Sequence, residues 1–312
     1  MKDGWDYEVV IVGAGPGGLC AGLYTGRANL KVICFDRQGI GGQIANTDRV
    51  EDYPGIERIG GYELGEKMAN HAKKFGLEID FVGVSSISPP DETGTITLAL
   101  EDEREVRCGA VIVATGGTAK KLGVPGEERL TNLGVSYCAL CDGAFFRDQV
   151  IGVVGGGDQA VEEAAFLTKF GSRVHIFHRR DELRAAKIIQ DRAFANEKLE
   201  IHWDTVVTEV MGEERVEAVR LSNVKTGEEK TLELGALFPL IGFRPNVALL
   251  PDGVERTDGG YVVTDTWMRT SVPGIYAIGD VRDQLCRQVT NAVGDGTTAA
   301  VAVEKYLEEL EH

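Results

Sequence analysis

The sequence predicts an α/β protein of two three-layer domains, one inserted into the other, and three observations predict it. A strand–glycine turn–helix–strand unit opens the chain, and a second unit of the same order begins at Val150. Two similar apolar strands that end in glycine, 110–114 and 237–241, lie on either side of that second unit. Short apolar runs alternating with helical segments are the pattern of a mostly parallel sheet covered on its faces.

The first unit runs from the apolar stretch 9–12 into Gly13-Ala14-Gly15-Pro16-Gly17-Gly18, then a helical segment to Arg27, then a strand over 31–35 that ends in Asp36. In a Rossmann-like turn of this kind, Gly13 supplies the bend, Gly15 lets the backbone approach a pyrophosphate, and Gly18 permits close helix–strand packing. The helix-like segment from Leu19 to Arg27 follows directly, with the phosphate charge expected on its N-terminus. Asp36, about twenty residues past the glycines, is placed to accept from a ribose 2′-hydroxyl.

The second unit repeats the order: a strand over 150–154, then Gly155-Gly156-Gly157-Asp158-Gln159-Ala160, a helix to Phe170, a stop at Gly171 and a strand over 174–177. The position of Asp36 is now taken by His178-Arg179-Arg180, with Arg184 close behind. A carboxylate there would repel a 2′-phosphate, whereas guanidinium groups bind one through charge-assisted hydrogen bonds. This unit is therefore expected to prefer NADPH over NADH.

Between the two units lies Cys138-Ala139-Leu140-Cys141-Asp142. A dithiol between two dinucleotide fingerprints describes a flavin enzyme that passes electrons to a disulfide. One thiol of such a pair must ionise readily, and a position ahead of a helix can lower its pKa to about 7. Asp142 reads either as a helix cap or as a proton-transfer group for the thiols. Zinc binding by Cys138 and Cys141 would need two further ligands, and no second Cys-x-x-Cys or His pair stands at suitable spacing, so no metal is expected. Cys20, Cys34 and Cys108 fall within or beside apolar elements and read as buried small residues, whereas Cys286 falls in a loop where a thiol could be exposed.

The chain leaves its first domain after Thr115-Gly116-Gly117 and returns after Gly242, ahead of Arg244-Pro245-Asn246. The expected division is 1–116 with 246–312 as the discontinuous outer domain and 117–245 as the inserted one. The closing part holds a strand delivering Gly279-Asp280, then Arg287-Gln288-Val289 leading into a helix over 291–310.

With 312 residues, 43% of them hydrophobic, the chain is long enough for two cores. Its net charge of −16 argues against nucleic acid as a partner. No apolar run approaches the roughly eighteen residues of a membrane span, and Met1-Lys2-Asp3-Gly4-Trp5-Asp6 lacks a signal-peptide pattern, so a cytoplasmic protein is expected. The final Leu310-Glu311-His312 reads as a remnant of an expression tag.

Taken together these motifs, which span the chain, resemble the low-molecular-weight thioredoxin reductases of the pyridine nucleotide–disulfide oxidoreductase class. The resemblance implies an FAD- and NADPH-dependent homodimer whose partner is thioredoxin, with FAD on the outer domain and NADPH on the inserted one. It places Gly13 to Gly18, Gly42, Gln43, Asn46 and Ala114-Thr115-Gly116 at the FAD, and the segment 51–55 matches a further motif of the family. It puts Gly279 and Asp280 at the ribityl chain, and Arg287, Gln288 and Val289 against the isoalloxazine at a helix N-terminus. Electrons would pass from NADPH to FAD to the Cys138–Cys141 disulfide, with Cys141 facing the flavin and Cys138 attacking thioredoxin. Leu140 and Gln159 depart from the family pattern, as does the segment 291–293 before Gly294.

Five readings compete. A ferredoxin–NADP reductase of similar fold would lack the dithiol. A dithiol oxidase or a ferredoxin-linked reductase would lack the arginine clamp. A redox sensor would be reduced by NADPH once and then stop. A reductase of another small thioredoxin-fold protein would differ only in its acceptor. Because the dithiol and the nucleotide turn share the inserted domain yet must serve one flavin on the other domain, turnover is expected to need a rotation about the crossings near Gly117 and Gly242.

Overall fold

The computed structural model describes residues 4–46 and 50–311, the side chains of Asn46 and Glu311 excepted. It divides into two compact units, 1–118 with 244–312, and 119–243.

The first unit is built on a seven-stranded sheet. In chain order it contains β1 (Tyr7–Val12), α1 (Pro16–Arg27), β2 (Val32–Phe35), a 3-10 turn (Gly42–Asn46), α2 (Gly61–Lys73), β3 (Glu78–Asp80), β4 (Val84–Ile87), β5 (Ile96–Leu100), β6 (Glu105–Val113) and β7 (Gly117–Ala119). Strands β3, β2, β1 and β6 run parallel, with Val9 opposite Val32 and Ala110, while β5 and β4 continue antiparallel from the far side of β6. Strand β1 is apolar at every position from Val9 to Val12 because both faces are covered. Val9 and Ile11 pack with Leu19 and Ala299 on one side, and Val10 and Val12 with Leu98 and Val262 on the other. Each such side chain taken fully out of water contributes about 1.5–3 kcal/mol.

The second unit holds α3 (Ala139–Asp142), a 3-10 turn (Gly143–Phe146), β8 (Val150–Val154), α4 (Asp158–Leu167), β9 (Arg173–Phe177), α5 (Lys187–Phe194), β10 (Leu199–His202), β11 (Thr205–Met211), β12 (Ala218–Asn223), β13 (Glu229–Glu233) and β14 (Ala236–Pro239). Its parallel sheet has the order β10-β9-β8-β14. One face packs on α4 through Ile151, Val153, Ala164 and Leu167, and the other is covered by the antiparallel sheet β11-β12-β13 through Phe177, Val207 and Leu221. The third layer here is thus β rather than helical.

The chain returns to the first unit through β15 (Phe243–Pro245), which pairs with β7. Then come β16 (Ile275–Ala277), which extends the large sheet beside the C-terminal half of β6, and α6 (Val289–Glu311). Helices α1 and α6 touch backbone to backbone: a Cβ on Gly296 would collide with the Gly17 carbonyl, and one on Gly17 would lie 3.1 Å from the Ala292 carbonyl.

Several expected boundaries shift. Helix α1 begins at Pro16 rather than Leu19, α4 ends at Leu167 rather than Phe170, and the strand expected over 237–241 is Ala236–Pro239. The crossings fall at 118/119 and 243/244, two residues from the expected 116/117 and 245/246. His312 and residues 1–3 lie outside the described residues.

Candidate active site

In the first unit the three glycines of the turn meet three different constraints. Gly13 has φ +112°, and a Cβ there would collide with the Ala114 carbonyl. A Cβ on Gly18 would collide with the Gly13 carbonyl, whereas one on Gly15 would meet only Gly42 Cα, at 3.9 Å. The turn is therefore closed on its protein side and open at Gly15, which leaves room for close backbone approach of a phosphate group. Gly15 is also the N-cap of α1 with no side-chain cap, and Pro16 follows, so first-turn N–H groups remain for an anion. Gly42, at φ +57°, faces Gly15 across this opening, with Gln43 exposed beside it. The side chain expected at Asn46 lies outside the described residues.

Asp36 ends β2 as expected and is busier than its sequence position suggests. One carboxylate oxygen accepts the Ala14 N–H at 2.7 Å, and the other accepts from Gln38 and Gly39 at 2.7 and 3.0 Å. A carboxylate has about four lone-pair sites, so one remains for a ribose hydroxyl. Thr115 donates to the Asn246 carbonyl at 2.7 Å and Asn246 Nδ2 donates to the Thr115 carbonyl at 2.9 Å, fixing Ala114-Thr115-Gly116 beside the turn.

The loop carrying Gly279 and Asp280 is held by Asp295, a buried acid that the sequence reading missed. It accepts the Gly279 N–H at 3.0 Å and pairs with Arg282 at 3.2 Å. Burial raises the Asp280 carboxyl above its ordinary range, and Asp295 adds to this, while Arg287 opposes it. Arg287 lies with its guanidinium 4.4 Å from the Tyr261 ring centre, next to Gln288, and Val289 begins α6.

In the second unit, Gly155, Gly156, His178, Arg179 and Arg184 line a cavity of about 340 Å³ together with Leu122, Thr205 and Ile241. A Cβ on Gly155 would collide with Ala160, and one on Gly156 with the His178 ring. At Gly157 it would meet only the Arg184 guanidinium, at 4.0 Å, so here too the backbone is open towards a cation-lined space. Gly157 caps α4 with no side-chain cap, and Asp158 turns away to accept the Ala186 N–H at 2.6 Å.

Two of the expected phosphate ligands sit differently. His178 is buried, with each ring nitrogen 2.9 Å from a carbonyl, those of Gly155 and Glu182. Its ring braces the glycine turn against the following loop instead of facing an anion. Arg180 is exposed, in the bend that follows β9, and does not line the cavity.

Cys138 and Cys141 form a disulfide with Cα atoms 5.3 Å apart. Cys138 caps α3 and Cys141 lies within it; α3 is a single turn of four residues, so the helix-start effect expected on the thiol is small. The specific contact is local: the Cys141 N–H points at Cys138 Sγ, at 3.1 Å, where it would stabilise a Cys138 thiolate. Leu140, between the cysteines, is 51% exposed.

Asp142 makes no capping bond to the turn that follows it. Its carboxylate instead accepts from the buried Ser136 hydroxyl at 2.6 Å, and Ser136 Oγ accepts the Cys138 N–H at 3.2 Å. A second acid reaches the motif from α4: Glu163 accepts the Ala139 N–H at 3.1 Å and, at 2.8 Å, a bond from Gln159 Nε2. Burial raises the Glu163 carboxyl. Gln159 therefore acts on the dithiol turn rather than on the nucleotide turn alone. Ser136 and Glu163 were not singled out from sequence; the only local signals were a hydroxyl two residues before the first cysteine and the i, i+4 spacing of Gln159 and Glu163.

The remaining cysteines follow expectation. Cys20, Cys34 and Cys108 are buried with their thiol pKa pushed up by desolvation, and Cys286 is half-buried in a loop. Among the described residues no helix is long and apolar enough to cross a membrane.

Comparison with known proteins gives the geometry a context. The family described as pyridine nucleotide-disulphide oxidoreductase matches residues 7–296. The thioredoxin reductase of Bacillus subtilis is 45% identical over 306 residues, covering 98% of this chain and 96% of its own. That of Listeria innocua is 44% identical, covering 97% and 95%. Among solved structures, thioredoxin reductase from Streptococcus pyogenes superposes with a TM-score of 0.92 at 47% identity, covering 97% of this chain and 98% of its own. That from Giardia duodenalis gives 0.91 at 36%, covering 97% and 99%.

Proposed function

The chain belongs to the pyridine nucleotide-disulphide oxidoreductase family, and from that premise we propose that it is an NADPH-dependent thioredoxin-disulfide reductase working through Cys138 and Cys141. The observation that carries this reading is the Cys138–Cys141 disulfide with Asp142 joined to it through Ser136.

The two open glycine turns fit two dinucleotides. Gly15, Pro16, Gly42 and Asp36 would hold FAD, with Asp280 and the Arg287-Gln288-Val289 corner at its other end. Gly157, Arg179 and Arg184 would hold NADPH. Held there, FAD would supply the two-electron relay from NADPH to the Cys138–Cys141 disulfide.

The chain's own part follows. Cys138, its sulfur facing the Cys141 N–H, attacks the disulfide of thioredoxin; a mixed disulfide forms and one partner sulfur leaves. Asp142 carries the proton between that sulfur and the dithiol, with Ser136 holding its carboxylate in place. Cys141 then attacks Cys138, which restores the intramolecular disulfide and releases reduced thioredoxin. We infer a homodimer in a reducing cytoplasm from family membership; the net charge of −16 supports a partner other than nucleic acid.

The test is steady-state NADPH oxidation against a panel of small disulfide proteins from the same genome. Turnover with a thioredoxin supports the proposal. Consumption of NADPH with oxygen alone, unaffected by any disulfide protein, would overturn it.

A further inference from the structure

We propose that His175, Glu200 and His202, at the edge of the parallel sheet of the second unit, form a binding site for one divalent transition-metal ion of the zinc class. The sheet register creates the cluster. On β9 and β10, His175 stands opposite Glu200 and Phe177 opposite His202, so all four side chains share the face covered by β11-β12-β13.

The donor atoms converge. His175 Nδ1 lies 2.9 Å from His202 Nε2, and the Glu200 oxygens lie 3.8 Å from the first and 3.5 Å from the second. Zinc bonds to nitrogen and oxygen are roughly 2.0–2.2 Å, so neighbouring ligands in a tetrahedral site are about 3.3 Å apart. The observed separations bracket that value, so an ion would replace the His175–His202 hydrogen bond with only small side-chain rotations. Two imidazoles and a carboxylate are the donor set that borderline metals such as zinc accept, with water completing the shell on the side where Glu200 is exposed. The imidazoles are held in place by packing: His175 stacks with Phe177, whose ring also contacts His202. Burial lowers the pKa of both histidines.

Two cations face the cluster. Lys230 from β13 lies 3.1 Å from His202 Nδ1, and Arg173 lies 3.2 Å from Glu200. With a metal on Nε2, His202 must carry its proton on Nδ1, so the exposed Lys230 has to swing away. Lys230 thus opposes binding, and its removal should strengthen it.

The test is a Zn²⁺ titration of tag-free, FAD-loaded protein kept oxidised, so that the Cys138–Cys141 dithiol offers no competing site. The expected result is about one Zn²⁺ per chain in wild type and in Cys138→Ser/Cys141→Ser, and its loss in His202→Ala. Glu200→Gln, a near-isosteric change at a half-exposed side chain, should also lose it, with an unchanged flavin spectrum as the folding control. Lys230→Gln should tighten binding roughly tenfold, the equivalent of one charge-assisted hydrogen bond no longer broken. Absence of stoichiometric binding in wild type, or binding that survives both His202→Ala and Glu200→Gln, would overturn the proposal. The outcome does not depend on which disulfide protein the enzyme reduces.

Discussion

The arginines of the second unit should divide into one that selects the nucleotide and one that does not, and replacing them singly tests this. Arg179 lines the cavity beside Gly156, whereas Arg180 does not line it. In Arg179→Ala a 2′-phosphate would lose one charge-assisted bond. Because the guanidinium is exposed, the lower end of the usual range applies, about 1.5 kcal/mol, or roughly tenfold in affinity. NADH has no 2′-phosphate and should change by less than about twofold on the same scale. Arg184, only 4.0 Å from where a Gly157 Cβ would stand, reaches the glycine turn as well, so Arg184→Ala should weaken both nucleotides, NADPH the more. Arg180→Ala should cost less than about threefold. The assay is stopped-flow reduction of the flavin over a range of NADPH and NADH concentrations, which yields the affinity for each. Equal weakening of NADPH and NADH by Arg179→Ala, or a loss in Arg180→Ala matching it, would refute the assignment.

Further outcomes follow from other contacts. Ser136→Ala removes one bond to Asp142 and one from the Cys138 N–H; it should lower stability by about 1–3 kcal/mol and slow disulfide exchange while flavin reduction by NADPH stays unchanged in stopped flow. Glu163 has its folded pKa raised by burial above the ordinary 4.5. The folded state therefore holds that proton more tightly, and stability falls as pH rises from about 4.5 towards the raised value. Glu163→Gln should remove that slope, visible in urea denaturation midpoints measured across this window; an unchanged slope would mean another group causes it. Gly18→Ala would drive a Cβ into the Gly13 carbonyl and should cost at least about 1–3 kcal/mol, read as a lower melting temperature and reduced FAD per chain.

Much of the fold was legible because its signals are local. A glycine turn between a strand and a helix is dictated within one short segment, which is why Gly13, Gly15, Gly18 and Gly155 fall where their spacing places them. Apolar strands buried on both faces, such as β1 and β6, could be read directly for the same reason. Contacts made only on folding were not legible. Asp295 meets Gly279 sixteen residues away, and Glu163 meets Ala139 twenty-four residues away; nothing in either neighbourhood marks the partner. Which of Arg179 and Arg180 lines the cavity is set by the bend after β9, and the role of the His178 ring is hidden in the sequence because its two carbonyl partners lie across a loop. The antiparallel layer β11-β12-β13 also went unread, since its alternating strands face the core with one side only and carry no motif.

The central claim is that electrons leave this protein through Cys138 to a thioredoxin disulfide. The most direct measurement is steady-state NADPH oxidation with oxidised thioredoxin, comparing wild type with Cys138→Ser and Cys141→Ser, with flavin reduction followed in parallel. The account predicts rapid thioredoxin-dependent turnover in wild type and none in either variant, while NADPH still bleaches the flavin in all three. Thioredoxin-dependent turnover that survives in Cys138→Ser would contradict it.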